Sequence, residues 1–332
     1  MVIMPRWNSG LCAFVRFPLC PFLPLCLCAF LSLCLSWARA GEEARRCRLW
    51  LDLYRGEPIP YEAILADLAE ARVIYLGEHH TIAEHHELQT RLIADLGKRG
   101  LSLAVGLEQI EACQQPVVER YNRKEINFDQ LAETTQWAQR WPNFRQYQPV
   151  LETARNLGAP VLALNARSEL IHRIARGGGV AKLDPASRQE LPAKMQLADP
   201  LYEKLLAMQM MVHLAATPQR VRPMVEAQIA RDETMAAAIA KFLQSEPGHG
   251  RTMIVLCGAG HVAYGLGTPE RVRQLVPGVK DRIVLFSESG DLELSAQEKA
   301  ISREIAITHE QLRAMDRPIA DYIHAKDLSE TR

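Results

Sequence analysis

Two apolar runs far apart in the chain end in the same way. Val73-Ile74-Tyr75-Leu76 runs into Gly77-Glu78-His79-His80, and Met253-Ile254-Val255-Leu256-Cys257 runs into Gly258-Ala259-Gly260-His261. Short apolar runs rich in β-branched residues read as buried strands. Each of these stops at glycine and then presents a histidine. In an open parallel sheet, ligands gather at the carboxyl ends of the strands. Two strands that each deliver an imidazole there predict a convergent polar site.

The rest of the chain supports such a sheet. Strands are predicted at residues 72–76, 101–107, 161–164, 252–257 and 282–286, with a further edge strand over 318–325. Helices are predicted at 61–70, 82–98, 147–157 and 168–175, with two more between 115 and 131. The connections are long enough for parallel crossovers. The class is α/β: a mostly parallel sheet flanked by helices. Residues 181–249 show no strand pattern. Two helices, 200–216 and 221–243, are predicted there as a helical insertion over the strand carboxyl ends. The α/β core is then 45–180 and 250–290, with 45–53 a polar lead, and 291–332 is a C-terminal extension.

Residues 1–40 read as an export signal, which places the protein in the periplasm or on a membrane facing it. They hold Arg6, Arg16 and Arg39, no acidic residue, a long apolar run, and the small-x-small close Ala38-Arg39-Ala40. An uncleaved anchor is the alternative, although Pro18, Pro21 and Pro24 interrupt the run. Leu31-Ser32-Leu33-Cys34 resembles a lipobox with a bulky Leu33 before the cysteine, so a lipoprotein signal is a further reading. Membrane association follows only if the segment is lipidated or retained. Five of the eight cysteines lie in this segment. Cys47, Cys113 and Cys257 alone make neither a disulfide scaffold nor a zinc ribbon. Lys plus Arg equals Asp plus Glu at 39 each, with no basic stripe, so no nucleic-acid partner is implied.

Four predicted strand ends carry polar groups: Glu78, His79 and His80 on the first, Glu108 on the second, Asn165 and Arg167 on the third, and His261 on the fourth. The plainer account is that these cap helices and satisfy loop amides. A shared pocket accounts better for His, Glu, Asn and Arg together. Imidazole with carboxylate suits acid–base work or a divalent metal held by His79 and His261. Glu78, His79, Glu108 and His261 are the catalytic candidates, with His80 and Asn165 lining the pocket. His85 and His86 sit among Glu84 and Glu87, as expected of a solvated first helical turn.

The helix predicted over 200–216 is apolar around much of its girth: Leu201, Leu205, Met208 and Val212, extended by Met210, Met211 and Leu214. Plain core packing explains this. The sharper reading is a flat apolar ligand such as a porphyrin, since methionine adapts to irregular surfaces. His213, Met208, Met211 and Tyr264 are all candidate iron ligands, and Arg167 is a candidate partner for a propionate.

Tyr75-Leu76-Gly77-Glu78-His79-His80, Gly106-Leu107-Glu108, Leu164-Asn165-Ala166-Arg167, Arg231-Asp232-Glu233-Thr234-Met235-Ala236 and Gly258-Ala259-Gly260-His261-Val262-Ala263-Tyr264-Gly265 together resemble the ChaN-like family of the Tiki/TraB/erythromycin-esterase superfamily. The resemblance covers roughly residues 50–290. It implies an exported protein or lipoprotein linked to haem binding and iron uptake. It further implies an α/β core with a small helical subdomain, and haem held at a homodimer interface. Other branches of the superfamily include metal-dependent proteases and hydrolases built on the paired Gly-x-x-His motifs. A metal-dependent hydrolase is therefore the alternative function.

Overall fold

The computed structural model describes the backbone of residues 49–214, 218–286 and 317–325, with side chains throughout except 208–214 and 218–220. The expected export and lipobox segment, residues 1–40, lies outside the described residues, as do 291–316 of the C-terminal extension.

Eight strands form one sheet in the order β2-β1-β8-β7-β3-β6-β4-β5. They are β1 (Leu49–Asp52), β2 (Glu57–Pro58), β3 (Val73–Glu78), β4 (Leu103–Glu111), β5 (Val161–Asn165), β6 (Thr252–Gly258), β7 (Asp281–Phe286) and β8 (Tyr322–Ala325). From β8 to β5 all neighbours are parallel, and β1 and β2 add an antiparallel margin. The helices among the described residues are α1 (Tyr61–Leu68), α2 (Ala83–Lys98), α3 (Gln115–Asn122), α4 (Phe128–Thr134), α5 (Trp137–Arg140), α6 (Gln148–Asn156), α7 (Ser168–Gly177), α8 (Pro185–Gln189), α9 (Pro200–Leu214), α10 (Pro218–Leu243) and α11 (Thr268–Leu275). No described helix is long and apolar enough to cross a membrane.

The central strands are buried along nearly their whole length, and apolar up to their polar carboxyl ends, because both faces are covered. Ile74, Leu76, Val105, Leu107, Ile254 and Leu256 face one layer, where Leu88, Leu92, Ile93 and Leu96 of α2 pack with Val150, Leu151 and Ala154 of α6. Val73, Tyr75, Met253, Val255 and Cys257 face the other, against Met235, Ala236, Ile239 and Phe242 of α10. The expected insertion boundary at 249 therefore does not divide the packing. The second half of α10 is an ordinary sheet-covering helix, while its first half joins α9 in a separate cluster of Tyr202, Leu205, Leu206, Val225, Ile229 and Leu266.

Two expectations need correction at the other end of the sheet. Residues 49–52, read as part of a polar lead, form β1. The C-terminal segment is not an edge strand: β8 lies between β7 and β1. The reason is aromatic packing. Trp50 of β1 meets the His324 ring of β8 edge-on, with centroids 4.8 Å apart, and Trp50 is buried. At the opposite margin, α3 caps the exposed edge of β5. Asn122 exchanges two 2.9 Å hydrogen bonds with the Val161 backbone, and the Ala163 N–H donates to Gln115 Oε1 at 2.8 Å. Such side-chain amides block further strand pairing.

Candidate functional site

β3 and β6 are adjacent and in register, Gly77 beside Cys257 and Glu78 beside Gly258. This pairing brings the two Gly-x-x-His motifs together. Glu108 joins them from β4, which flanks β6 on its other side. β4 runs beyond the predicted end to Glu111, with an irregular register against β5 between Leu107 and Glu111. Such irregularities re-aim side chains. Here Gln109 also enters the site.

Glu78 is enclosed by donors. Its Oε1 accepts from His80 Nδ1 at 2.8 Å, from Gln109 Nε2 at 2.9 Å and from the Tyr147 hydroxyl. Its Oε2 accepts from the Gln89 amide and lies 3.4 Å from His86 Nδ1. Burial opposes the carboxylate's charge, but the hydrogen bonds from His80 and His86 outweigh it and lower the pKa to about 2. The imidazoles respond in the opposite sense. Burial disfavours their charge, yet Glu78 raises both His80 and His86 above the usual histidine value.

Glu108 and His261 form the second half of the cluster. Glu108 Oε2 accepts the Gly258 N–H at 2.7 Å, and its Oε1 lies 3.2 Å from His261 Nε2. His261 Nδ1 lies 2.8 Å from Asp232 Oδ1 on α10. Asp232 in turn accepts from the Tyr202 hydroxyl of α9 at 2.6 Å and the Thr268 hydroxyl at 2.9 Å. The Gln228 amide sits 3.0 Å from both ring nitrogens of His261. Burial disfavours the imidazolium, but Glu108 and Asp232 raise its pKa to about 10. Burial also opposes the Glu108 carboxylate, and the His261 charge overcomes this and holds its pKa well below the usual range. Carboxylates and imidazoles thus alternate from Glu78 through His80, Glu108 and His261 to Asp232. His80 is the member with an opening to solvent, its side chain 32% exposed and packed edge-on against Trp141. Gly258 leaves room for it: a Cβ there would stand 2.9 Å from His80 Nε2.

The structure brings together Glu78, Glu108 and His261 among the catalytic candidates, with His80 as the pocket residue. In the first motif the imidazole that joins the cluster is His80. The His79 backbone N–H donates to His85 Nδ1 at 3.0 Å. The divalent metal expected at His79 and His261 finds no support among the described residues, where both His261 nitrogens face carboxylates. Among the described residues, no group of three or more His, Cys, Asp or Glu is arranged to hold a metal ion. His85 and His86 are buried, not the solvated turn expected of them. Asn165 is buried at the end of β5, and its Oδ1 has no hydrogen-bond partner among the described residues.

Asp232 was not among the site candidates, although a signal for it exists. It falls on the stripe of α10 that holds Met235, Ala236 and Ile239, where a carboxylate is out of place unless partnered. Its neighbour Glu233 accepts from buried Arg271 Nε at 3.0 Å. Arg271 also donates to the carbonyls of Leu266 and Gly267, at 2.9 and 3.1 Å, holding the turn that follows His261.

Three residues beyond His261 the chain presents Tyr264 with φ 57° and ψ 11°, a left-handed conformation rare for tyrosine. Its N–H donates to the Ile319 carbonyl at 2.8 Å. The half-buried ring rests against the α9–α10 apolar cluster.

Comparison with known proteins places this arrangement. The family model described as haem-binding uptake, Tiki superfamily, ChaN, matches residues 64–272. The chain belongs to that family. A solved structure of Campylobacter jejuni ChaN, described by its cofacial haem binding, has the same fold, with a TM-score of 0.63 at 19% identity, covering 84% of this chain and 97% of that one. Fainter likenesses are the type III effector HopBA1, with a TM-score of 0.43 at 14% identity over 80% of this chain and 91% of that one, and the erythromycin esterase EreC, with 0.41 at 13% over 68% and 72%. No curated protein matches the sequence.

For a member of the ChaN family, the residues that could meet haem divide clearly. The Arg167 guanidinium is engaged elsewhere, in a two-point pair with Glu190 at 2.7 and 2.6 Å. That pair would have to open for the expected role at a propionate. Met208, Met211 and His213 fall within α9, but their side chains lie outside the described residues. Tyr264 fits the requirement for an iron ligand: a phenol on a fixed turn, half-exposed, beside an apolar wall.

Proposed function

We propose that this protein binds haem on the face formed by α9, the start of α10 and Tyr264, with the Tyr264 oxygen on iron, and that it serves haem or iron uptake. The observation that carries this reading is the position of Tyr264 within the matched family span, held by an uncommon backbone conformation against apolar side chains. Haem bound there would supply an iron centre. The chain's own residues would hold the ring and exclude water. Burial raises the Tyr264 pKa, so iron would have to displace the phenol proton. Export to the periplasm and a homodimer with haem at its interface belong to the same proposal. They draw support from the leader-like residues 1–40 and from the family. Hemin titration of the purified protein is the test. Saturable growth of a Soret band, weakened at least about tenfold in Tyr264→Phe, supports it, and no band with the wild-type protein rejects it.

A second reading, hydrolysis of an ester or amide, draws on one observation: buried His261 clamped between Glu108 and Asp232 beside solvent-facing His80. His80 would exchange protons with a substrate while Glu78 orients its ring. The engagement of both His261 nitrogens favours this acid–base form over a divalent-metal form. Ester and peptide panels, run with and without chelator on wild type and His80→Ala, test it. Turnover lost in the variant and indifferent to chelator is the expected result. Absence of turnover by the wild type removes the reading.

A further inference from the structure

A pocket of about 210 Å³ opens directly beside Tyr264, and its walls are rich in arginine. Arg273, Arg282 and Arg317 line it with Asp281 and Asp321, and the strongly exposed Tyr54 stands at its rim. The three guanidiniums are not equally engaged. Arg282 is held by Asp67 through two bonds of 2.6 and 2.8 Å. Arg273 faces Asp281 with Nε and Nη2 at 3.0 and 3.1 Å, leaving Nη1 on the Gly265 carbonyl at 3.2 Å. Among the described residues Arg317 has only a loose ion pair, its Nη2 lying 3.7 Å from Glu270 Oε2. That same oxygen lies 3.5 Å from Arg273 Nη1, so one carboxylate oxygen serves two cations. Of the two aspartates, Asp281 is taken by Arg273, and Asp321 accepts the Ile283 N–H at 2.7 Å.

The two arginines also converge in space. A Cβ placed on Gly265 would lie 3.0 Å from Arg273 Nη1 and 3.1 Å from Arg317 Nη1. Two like charges brought to one point beside a pocket repel each other, and a single Glu270 oxygen at 3.5 and 3.7 Å offsets this only in part, so a further anion there would be attracted. Planar guanidinium donors match the two oxygens of a carboxylate. Gly265 has φ +64° and no side chain, so the point of convergence stays open.

We infer that Arg317 and Arg273 form a carboxylate subsite that receives a propionate arm of the porphyrin whose iron meets Tyr264. This rests on the haem reading above and extends it to this chain's own anion-binding residues. Tyr54, an exposed residue that lines the same pocket, offers its ring to the porphyrin rim. The subsite sets orientation: with one arm fixed here, the tetrapyrrole can present only one of its edges to the solvent.

The test compares hemin with its dimethyl ester, which has the same ring and iron but no anionic arms. Wild-type protein is expected to bind the free acid about tenfold more tightly than the ester. Arg317→Gln is expected to bring the two affinities close together, mainly by weakening the acid. Glu270→Gln, which removes the competing carboxylate, should widen the gap. Iron-free protoporphyrin and its ester, followed by fluorescence, should show the same preference without any contribution from iron. Thermal melting confirms that each variant is folded. Equal Soret titrations for acid and ester in the wild type overturn the subsite and leave haem binding standing. Equal weakening of both ligands by Arg317→Gln also overturns it. No Soret band with either ligand overturns the haem reading itself, and the subsite falls with it.

Discussion

The segment after β6 serves two neighbouring regions built on opposite principles. His261 points into a buried cluster in which nearly every polar atom has a partner. Tyr264, three residues later, belongs to an open rim where an arginine is loosely paired and a bulky ring adopts left-handed backbone. Buried charges are tolerated only when paired, so the first region is tied to stability. The second contributes little to the core and is free to meet a ligand. A perturbation should therefore separate folding from haem binding according to which side of this short segment it touches.

The largest expected effect is in the buried cluster. His261→Ala leaves Glu108 and Asp232 without their shared cation and should cost about 3–5 kcal/mol, read from denaturant unfolding. A loss below about 1 kcal/mol would show that the cluster is not stabilising as described. Proton linkage comes next. His261 is raised from 6.5 to about 10, so its stabilising charge is complete below pH 6.5 and is lost as pH climbs toward 10. Glu78 is lowered from 4.5 to about 2, so its contribution is complete above pH 4.5 and is lost as pH falls toward 2. Stability measured against pH should form a plateau between 4.5 and 6.5. His261→Gln should reduce the alkaline limb, leaving the part that His80 and His86 supply, and should weaken the part of the acid limb that comes from Glu108 while the Glu78 part stays.

Gly258→Ala should have a smaller effect. The new methyl displaces the His80 ring from Glu78, a crowding cost of about 1–3 kcal/mol, while hemin affinity stays unchanged. A matching loss of hemin binding would join the two regions into one site. The smallest stability change is expected for Tyr264→Phe, within about 0.5 kcal/mol, although it should weaken hemin at least about tenfold. A stable variant that binds hemin as the wild type does would shift the iron ligand to another residue.

Much of the central sheet was legible because its strands are continuous apolar runs, and such runs must be covered on both faces. The margin was not. Leu49–Asp52 mixes Leu and Trp with Asp, and only the packing of Trp50 on His324 turns it into a strand. Within the site, the two-residue spacing of Glu78 and His80 puts both side chains on one side of an extended chain. Arg167 looked available at a strand end, but Glu190 from a distant helix boundary engages it.

The residue order alone determined that parallel strands would form and that each would end in polar groups, because local apolar runs and glycine breaks act over a few residues. It also carried the family's motifs. Only the tertiary structure decided which strands became neighbours, and hence that Glu108 would lie between His80 and His261 and that α10 would supply Asp232. It likewise decided that Arg273 and Arg317 would meet at Gly265. The physical reason is that charge and hydrogen-bond pairing depend on distances of a few ångströms between groups far apart in the chain, and packing sets those distances.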